Sequence, residues 1–266
     1  MTLNALRFCR PLPVAAKLLR RVGLCAALGL AAPAWSQATT QAGPESSKGA
    51  EVKDFSPAER LLLMSPQLGL VKPPATLNYH FRRSGTLDEA FEDSVRVSLQ
   101  RVGTASGKGA AAACCKASGE FLTGKRRLEL PEIDQAEGNP VTLYFLEHDI
   151  RDMKARTKGS VTYFRKRIRM ALYQGAQIRD VTVNYRGKAL PAREIRLEPY
   201  RDDPNRAKFE RFIGKQYVFV LCDQVPGVVV SIRSRVPGEA GGAPLIEEEL
   251  WLDGAVPAPA VATASR

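Results

Sequence analysis

Asn139–Gly175 reads NPVTLYFLEHDIRDMKARTKGSVTYFRKRIRMALYQG, and what this stretch becomes decides the fold class. Asn139 is a good N-cap with Pro140 at the first helical position, and Leu143, Leu146, Ile150 and Met153 recur at helical spacing. Lys158-Gly159 breaks this helix. Ser160 then caps a second one, whose Val161, Phe164, Ile168, Ala171 and Leu172 form one apolar stripe before Gly175 ends it. The spacing predicts a helical hairpin over about 139–175.

On either side the period changes from helical to two. Leu77, Tyr79 and Phe81 alternate with polar residues, as do Val95, Val97 and Leu99, which is the pattern of half-buried strands. Val181, Val183 and Tyr185 turn through Arg186-Gly187-Lys188 into a partner holding Ile195 and Leu197. Tyr217–Cys222 is apolar on both faces and turns at Val225-Pro226-Gly227 into Val228, Val230 and Ile232, with Ile246, Leu250 and Leu252 closing the series. Turns this short join antiparallel strands. A helical hairpin between two groups of such strands predicts an α+β fold on an antiparallel β-sheet. Short flanking helices are expected after Ser56, where Pro57 and Glu59 complete a capping box, and from Asp203-Pro204 to Ile213.

The ends of the chain read differently. Residues 1–36 hold Arg7, Arg10, Lys17, Arg20 and Arg21, no acidic residue, and the apolar run Val22–Ala32. That is the pattern of a secretory signal peptide, with Ala34-Trp35-Ser36 placing cleavage after Ser36. The run falls short of the roughly 20 apolar residues a membrane span needs, and no later segment of the mature chain reaches that length. The expected address is the periplasm. Residues 37–55 read as a flexible linker, 56–252 as a single domain and the Ala- and Pro-rich 253–266 as a disordered tail. Losing five basic residues with the leader lowers the formal charge from +11 to +6, which favours anionic neighbours. Nucleic acid is not expected in that compartment.

Cys114, Cys115 and Cys222 remain after cleavage. Adjacent strand residues point to opposite faces, so Cys222 can pair with Cys114 or Cys115 but not both. The other reading makes all three small buried hydrophobes. Gly103–Gly109 has three residues between its first two glycines where a phosphate loop needs four, and Gly109 stands where Ser or Thr would hold magnesium. It reads as a flexible loop. No cofactor or metal site is expected, since local spacing gives His148 only Asp152 on its helical face.

Two surfaces carry the functional expectation. Arg165, Lys166, Arg167 and Arg169 surround the stripe of the second helix and suit an anionic lipid, a glycan phosphate or an acidic envelope protein. Arg193, Arg196, Arg233 and Arg235 would broaden that basic surface. The alternative is a hydrolase built on Glu147, His148, Asp149 and Asp152, or a structural subunit of an envelope assembly. The leading expectation is a non-enzymatic exported protein that binds an anionic or amphipathic envelope component through the basic helix.

Gly138-Asn139-Pro140, the run from Phe145 to Ile150, the run from Tyr163 to Arg169, Pro199-Tyr200 with Asp203-Pro204, and Tyr217-Val218-Phe219 with Val225-Pro226-Gly227 together resemble an uncharacterised family of exported proteobacterial proteins. The resemblance covers roughly residues 56–252 and implies envelope location without an assigned activity. The closing strands are also similar to lipoprotein-carrier-like half-barrels of the periplasm, an analogy of fold alone.

Overall fold

The alternating segments pair into one nine-stranded antiparallel sheet in the computed structural model, which describes residues 54–101, 115–157, 159–239 and 242–256. Residues 1–36, expected to be a leader, the Gly103–Gly109 segment, Cys114 and residues 257–266 lie outside the described residues. The strands are β1 (Ala75–Ser84), β2 (Phe91–Arg101), β3 (Cys115–Phe121), β4 (Ile133–Ala136), β5 (Gln177–Tyr185), β6 (Lys188–Leu197), β7 (Gln216–Leu221), β8 (Val229–Val236) and β9 (Ile246–Leu252). Their order is β4-β3-β2-β1-β9-β8-β7-β6-β5, so every neighbour is consecutive in sequence except β1 and β9. That pair closes a long connection through the helices. The fold is α+β with an open sheet.

α1 (Pro57–Glu59) runs on into a π-helical turn (Arg60–Met64), and α2 (Val141–Thr157) and α3 (Val161–Gln174) fill the connection between β4 and β5. The caps read from sequence are formed. Ser56 and Glu59 exchange the two capping-box bonds, the Asn139 side chain accepts from the Val141 amide at 3.1 Å, and Ser160 accepts from the Tyr163 amide at 3.1 Å. The helix expected from Asp203 to Ile213 is instead two short 3₁₀ turns, Arg206–Lys208 and Glu210–Phe212. Among the described residues no helix is long and apolar enough to cross a membrane.

The core lies on the face carrying Leu77, Tyr79 and Phe81 of β1, Val95, Val97 and Leu99 of β2, and Tyr217 and Phe219 of β7, all buried. α2 presses onto this face so closely that a Cβ on Gly119 of β3 would lie 2.0 Å from the Tyr144 ring. Glycine therefore admits the helix. Gly119→Ala is expected to lower stability by about 1–3 kcal/mol through overpacking, measured by urea unfolding. The loss should shrink when Tyr144→Ala is combined with it, and equal losses in both backgrounds would show that the contact does not set the spacing.

At one end of the sheet the β5–β6 hairpin overhangs β7, and its tip reaches the chain that follows β9. Arg186 N donates to Gly254 O at 2.7 Å and Val256 N to Asn184 O at 3.1 Å. Asp253–Val256, assigned from sequence to the tail, are thus hydrogen-bonded to the fold.

One expected link is absent. Cys222 is a free, buried thiol, so it is bridged to neither Cys114 nor Cys115. Cys115 opens β3 and Cys222 follows β7, with β2, β1, β9 and β8 between them, whereas a disulfide needs Cα atoms within about 7 Å. Cys115 is itself in a disulfide.

Candidate functional site

α2 is rotated from the orientation its leucines suggest. Its buried residues include Val141, Phe145, Asp149 and Met153, successive positions four apart that share one helical face. Leu143 is half exposed, and Leu143, Leu146 and Ile150, the last also buried in the core, line a cavity of about 420 Å³. Ile168 and Leu172 of α3 form the facing wall. Leu62 and Leu63 of the π-helical turn and Leu130, Pro131 and Ile133 of the β3–β4 connection close the sides, with Leu197 and Phe219 as floor. The polar lining is confined to Glu147, Arg151, Arg165 and Arg169, together with the phenol of Tyr144. An apolar hollow with a few convergent charges is the usual form of a small-molecule site.

These charges are organised. Glu147 accepts from Arg165 at 2.6 Å and from Arg151 at 3.0 Å. Burial opposes its ionisation, but hydrogen bonds and charge from Arg165 and Arg151 outweigh that and hold its carboxyl below the usual range. Two guanidiniums share one carboxylate, which leaves donors of both for another anion. Arg169 stands beside them, 74 % exposed, with Glu59 at 4.0 Å.

The rotation of α2 has a polar cause. Asp149, fully buried, is ion-paired with Lys215, which is itself 1 % exposed. It also accepts from Tyr217 Oη at 2.5 Å and from Ser234 Oγ at 3.2 Å. Beside it in the chain, His148 Nε2 lies 3.0 Å from Glu248 Oε1, and Arg83 Nε donates to the same oxygen at 2.8 Å. Arg156 then joins Asp152, at 2.7 Å, to Asp88. Burial opposes the charge on Glu248, yet His148, Arg83 and Lys215 together hold its carboxyl well below the usual carboxylate range. Burial, then the Asp149 charge, push the Tyr217 phenol well up, so it donates to Asp149 rather than ionising.

The four groups expected to act as a hydrolase are therefore divided. Glu147 is at the cavity rim, whereas His148, Asp149 and Asp152 lie on the inner side of α2, each in contact with a charged partner from the sheet, from Lys215 just before β7 or from α2 itself. They do not converge on one cavity. Of the cations on α3, Arg165, Lys166 and Arg169 are exposed. Arg167 is turned inward, 2.9 Å from buried Asp203 and donating to the Pro199 carbonyl. The broader basic surface is largely neutralised: Arg193 pairs with Asp223, Arg196 with Glu194, and Arg233 with Glu249 and Glu247. The pattern-based reading missed the cavity and the Lys215–Asp149 pair. The only available signal was a lysine just before the apolar strand β7.

Compared with known proteins, the chain matches no family model and no curated sequence.

Proposed function

We propose that this is an exported, non-enzymatic protein of the cell envelope that binds an anionic single-chain amphiphile. The apolar chain lies between α2 and α3, which act together as a hairpin over the sheet, and the anionic group is held at the mouth by Arg151, Arg165 and Arg169. The observation that carries this reading is that half-exposed Leu143 and partly buried Leu146 line a cavity, with buried Ile150 beside them. An acyl chain packed against this lining would bury apolar surface at about 25 cal/mol per Å². The guanidiniums supply charge-assisted hydrogen bonds to a carboxylate or phosphate. A half-barrel curl of the sheet around this cavity agrees with the β5–β6 tip meeting the chain after β9.

The test is displacement of a fluorescent fatty-acid probe from the purified protein. Dodecanoate should compete, and dodecyltrimethylammonium, with an equal chain and opposite charge, should not. Joint Arg165→Gln and Arg169→Gln substitution is expected to weaken dodecanoate by about five- to tenfold, since exposed charges contribute up to about 1 kcal/mol each. Leu146→Trp should block the cavity. Equal competition by both surfactants, or probe binding undisturbed by Leu146→Trp, would refute the assignment.

A further inference from the structure

The cavity mouth opens on a surface with an unusual combination of side chains. Phe55, Leu63, Met64, Leu143 and Tyr173 are respectively 42, 40, 53, 52 and 37 % exposed. Leu63 and Leu143 line the cavity, with Met64 next in the chain, while Phe55 and Tyr173 line a second groove on the other side of Arg169. Arg169 belongs to both hollows, so Leu63, Leu143, Phe55 and Tyr173 border adjoining surfaces, with exposed Met64 following Leu63 in the chain. Arg151, Arg165 and Lys166 are interleaved with them. The carboxylates of this face each have a basic neighbour: Asp54 meets Arg60, Glu59 meets Arg169, and Glu147 meets Arg151 and Arg165. Five cations therefore stand against three acids, and the surplus is positive.

We infer that this face docks on an anionic lipid bilayer, with the cavity mouth turned towards the membrane. The inference rests on the amphiphile reading for the ligand but concerns a different surface and a different partner. A bilayer offers diffuse negative charge at its surface and apolar depth just below it. Arginine and lysine among protruding aliphatic side chains meet both requirements, without the matched pockets that a protein partner's aromatic and arginine anchors would need. Tyrosine and phenylalanine at the edge of the face suit the headgroup level, where amphipathic rings collect. A mouth seated there also exchanges its occupant with lipid directly, so an acyl chain is not carried through water.

Flotation with vesicles of phosphatidylglycerol or phosphatidylcholine tests this. Binding to phosphatidylglycerol alone, lost as salt shortens the Debye length, is expected. Phe55 and Tyr173 are outside the cavity, so joint Phe55→Ser and Tyr173→Ser substitution should weaken vesicle binding by at least about fivefold. It should leave fatty-acid probe binding in solution unchanged, which also certifies the fold. A Met64→Trp variant should be quenched by brominated phosphatidylglycerol chains beyond the parent, whose Trp251 stacks on His80 on the outer face of the sheet. Equal flotation of the serine variant, or an introduced indole that brominated chains leave unquenched, would overturn the membrane face. Probe binding in solution with no vesicle binding would overturn this inference while leaving the amphiphile site standing, and vesicle binding with no probe binding would do the reverse.

Discussion

Asp149→Ala is expected to lower stability by about 3–5 kcal/mol, the usual consequence of removing one partner of a buried ion pair. The size follows from what remains. Lys215 stays 1 % exposed, and its ammonium loses the carboxylate in contact with it, keeping the Tyr217 ring at 5.6 Å and the more distant charge of Glu248. Tyr217 Oη and Ser234 Oγ lose their acceptor as well, and each buried polar group left unpaired costs about 1–3 kcal/mol. Lys215→Met should be milder, because Asp149 keeps two hydroxyl donors.

The informative protein is the double variant, Asp149→Leu with Lys215→Met. Two apolar side chains of similar volume remove the desolvation penalty together with the attraction, and such replacements are often neutral or stabilising. Recovery of at least about 2 kcal/mol relative to the sum of the Asp149→Leu and Lys215→Met losses in urea unfolding would mark the pair as strongly coupled. Losses that simply add would show that the ion pair does not hold α2 to the sheet. Because the pair fixes which face of α2 is buried, it also decides that Leu143, Leu146 and Ile150 line a cavity. A stable double variant with lost probe binding would mean that the polar anchor sets the helix rotation, and not merely its stability.

This pair also marks the limit of what the sequence discloses. Strands β1, β2 and β6–β9 were legible because each buries one face or both, and β5 because half-buried Val181, Val183 and Tyr185 alternate with exposed residues; such burial imposes a period that the order of residues records. The caps of α2 and α3 were legible because Asn139 and Ser160 act on amides two or three residues away. β3, running Cys-Lys-Ala-Ser-Gly-Glu-Phe from Cys115, carries no such period, since its middle must be small to admit Tyr144. The rotation of α2 was hidden for a related reason. Asp149 reads as a solvent-facing residue on its helix, and its donor Tyr217 lies 68 positions further along the chain. A pattern confined to one element cannot show that a carboxylate is buried when its compensation comes from another. The leucines were then assigned to the core, and the cavity went unseen.

Glu248 should dominate the acid limb of stability. Its carboxyl is held well below the usual carboxylate range in the folded protein, whereas in the unfolded chain it titrates near the ordinary glutamate value of about 4.3. The unfolded state therefore takes up the proton first on acidification, and stability rises with pH wherever that difference exists. The contribution of Glu248 is complete above the unfolded value and falls continuously as the pH drops from about 4.5 towards the folded value. Glu147 acts in the same direction, but it sits at the cavity rim with more solvent to screen it. Glu248→Gln should cost about 1.5–3 kcal/mol at neutral pH, the range for hydrogen bonds to charged partners, through Arg83 and His148. It should also flatten the stability curve below pH about 4.5, while Glu147→Gln leaves the curve nearly parallel to the parent. Denaturant midpoints across acid pH would read both effects. An acid limb as steep in Glu248→Gln as in the parent would place the proton-linked stability elsewhere, and the network beneath α2 would then be a packing device without electrostatic leverage on the fold.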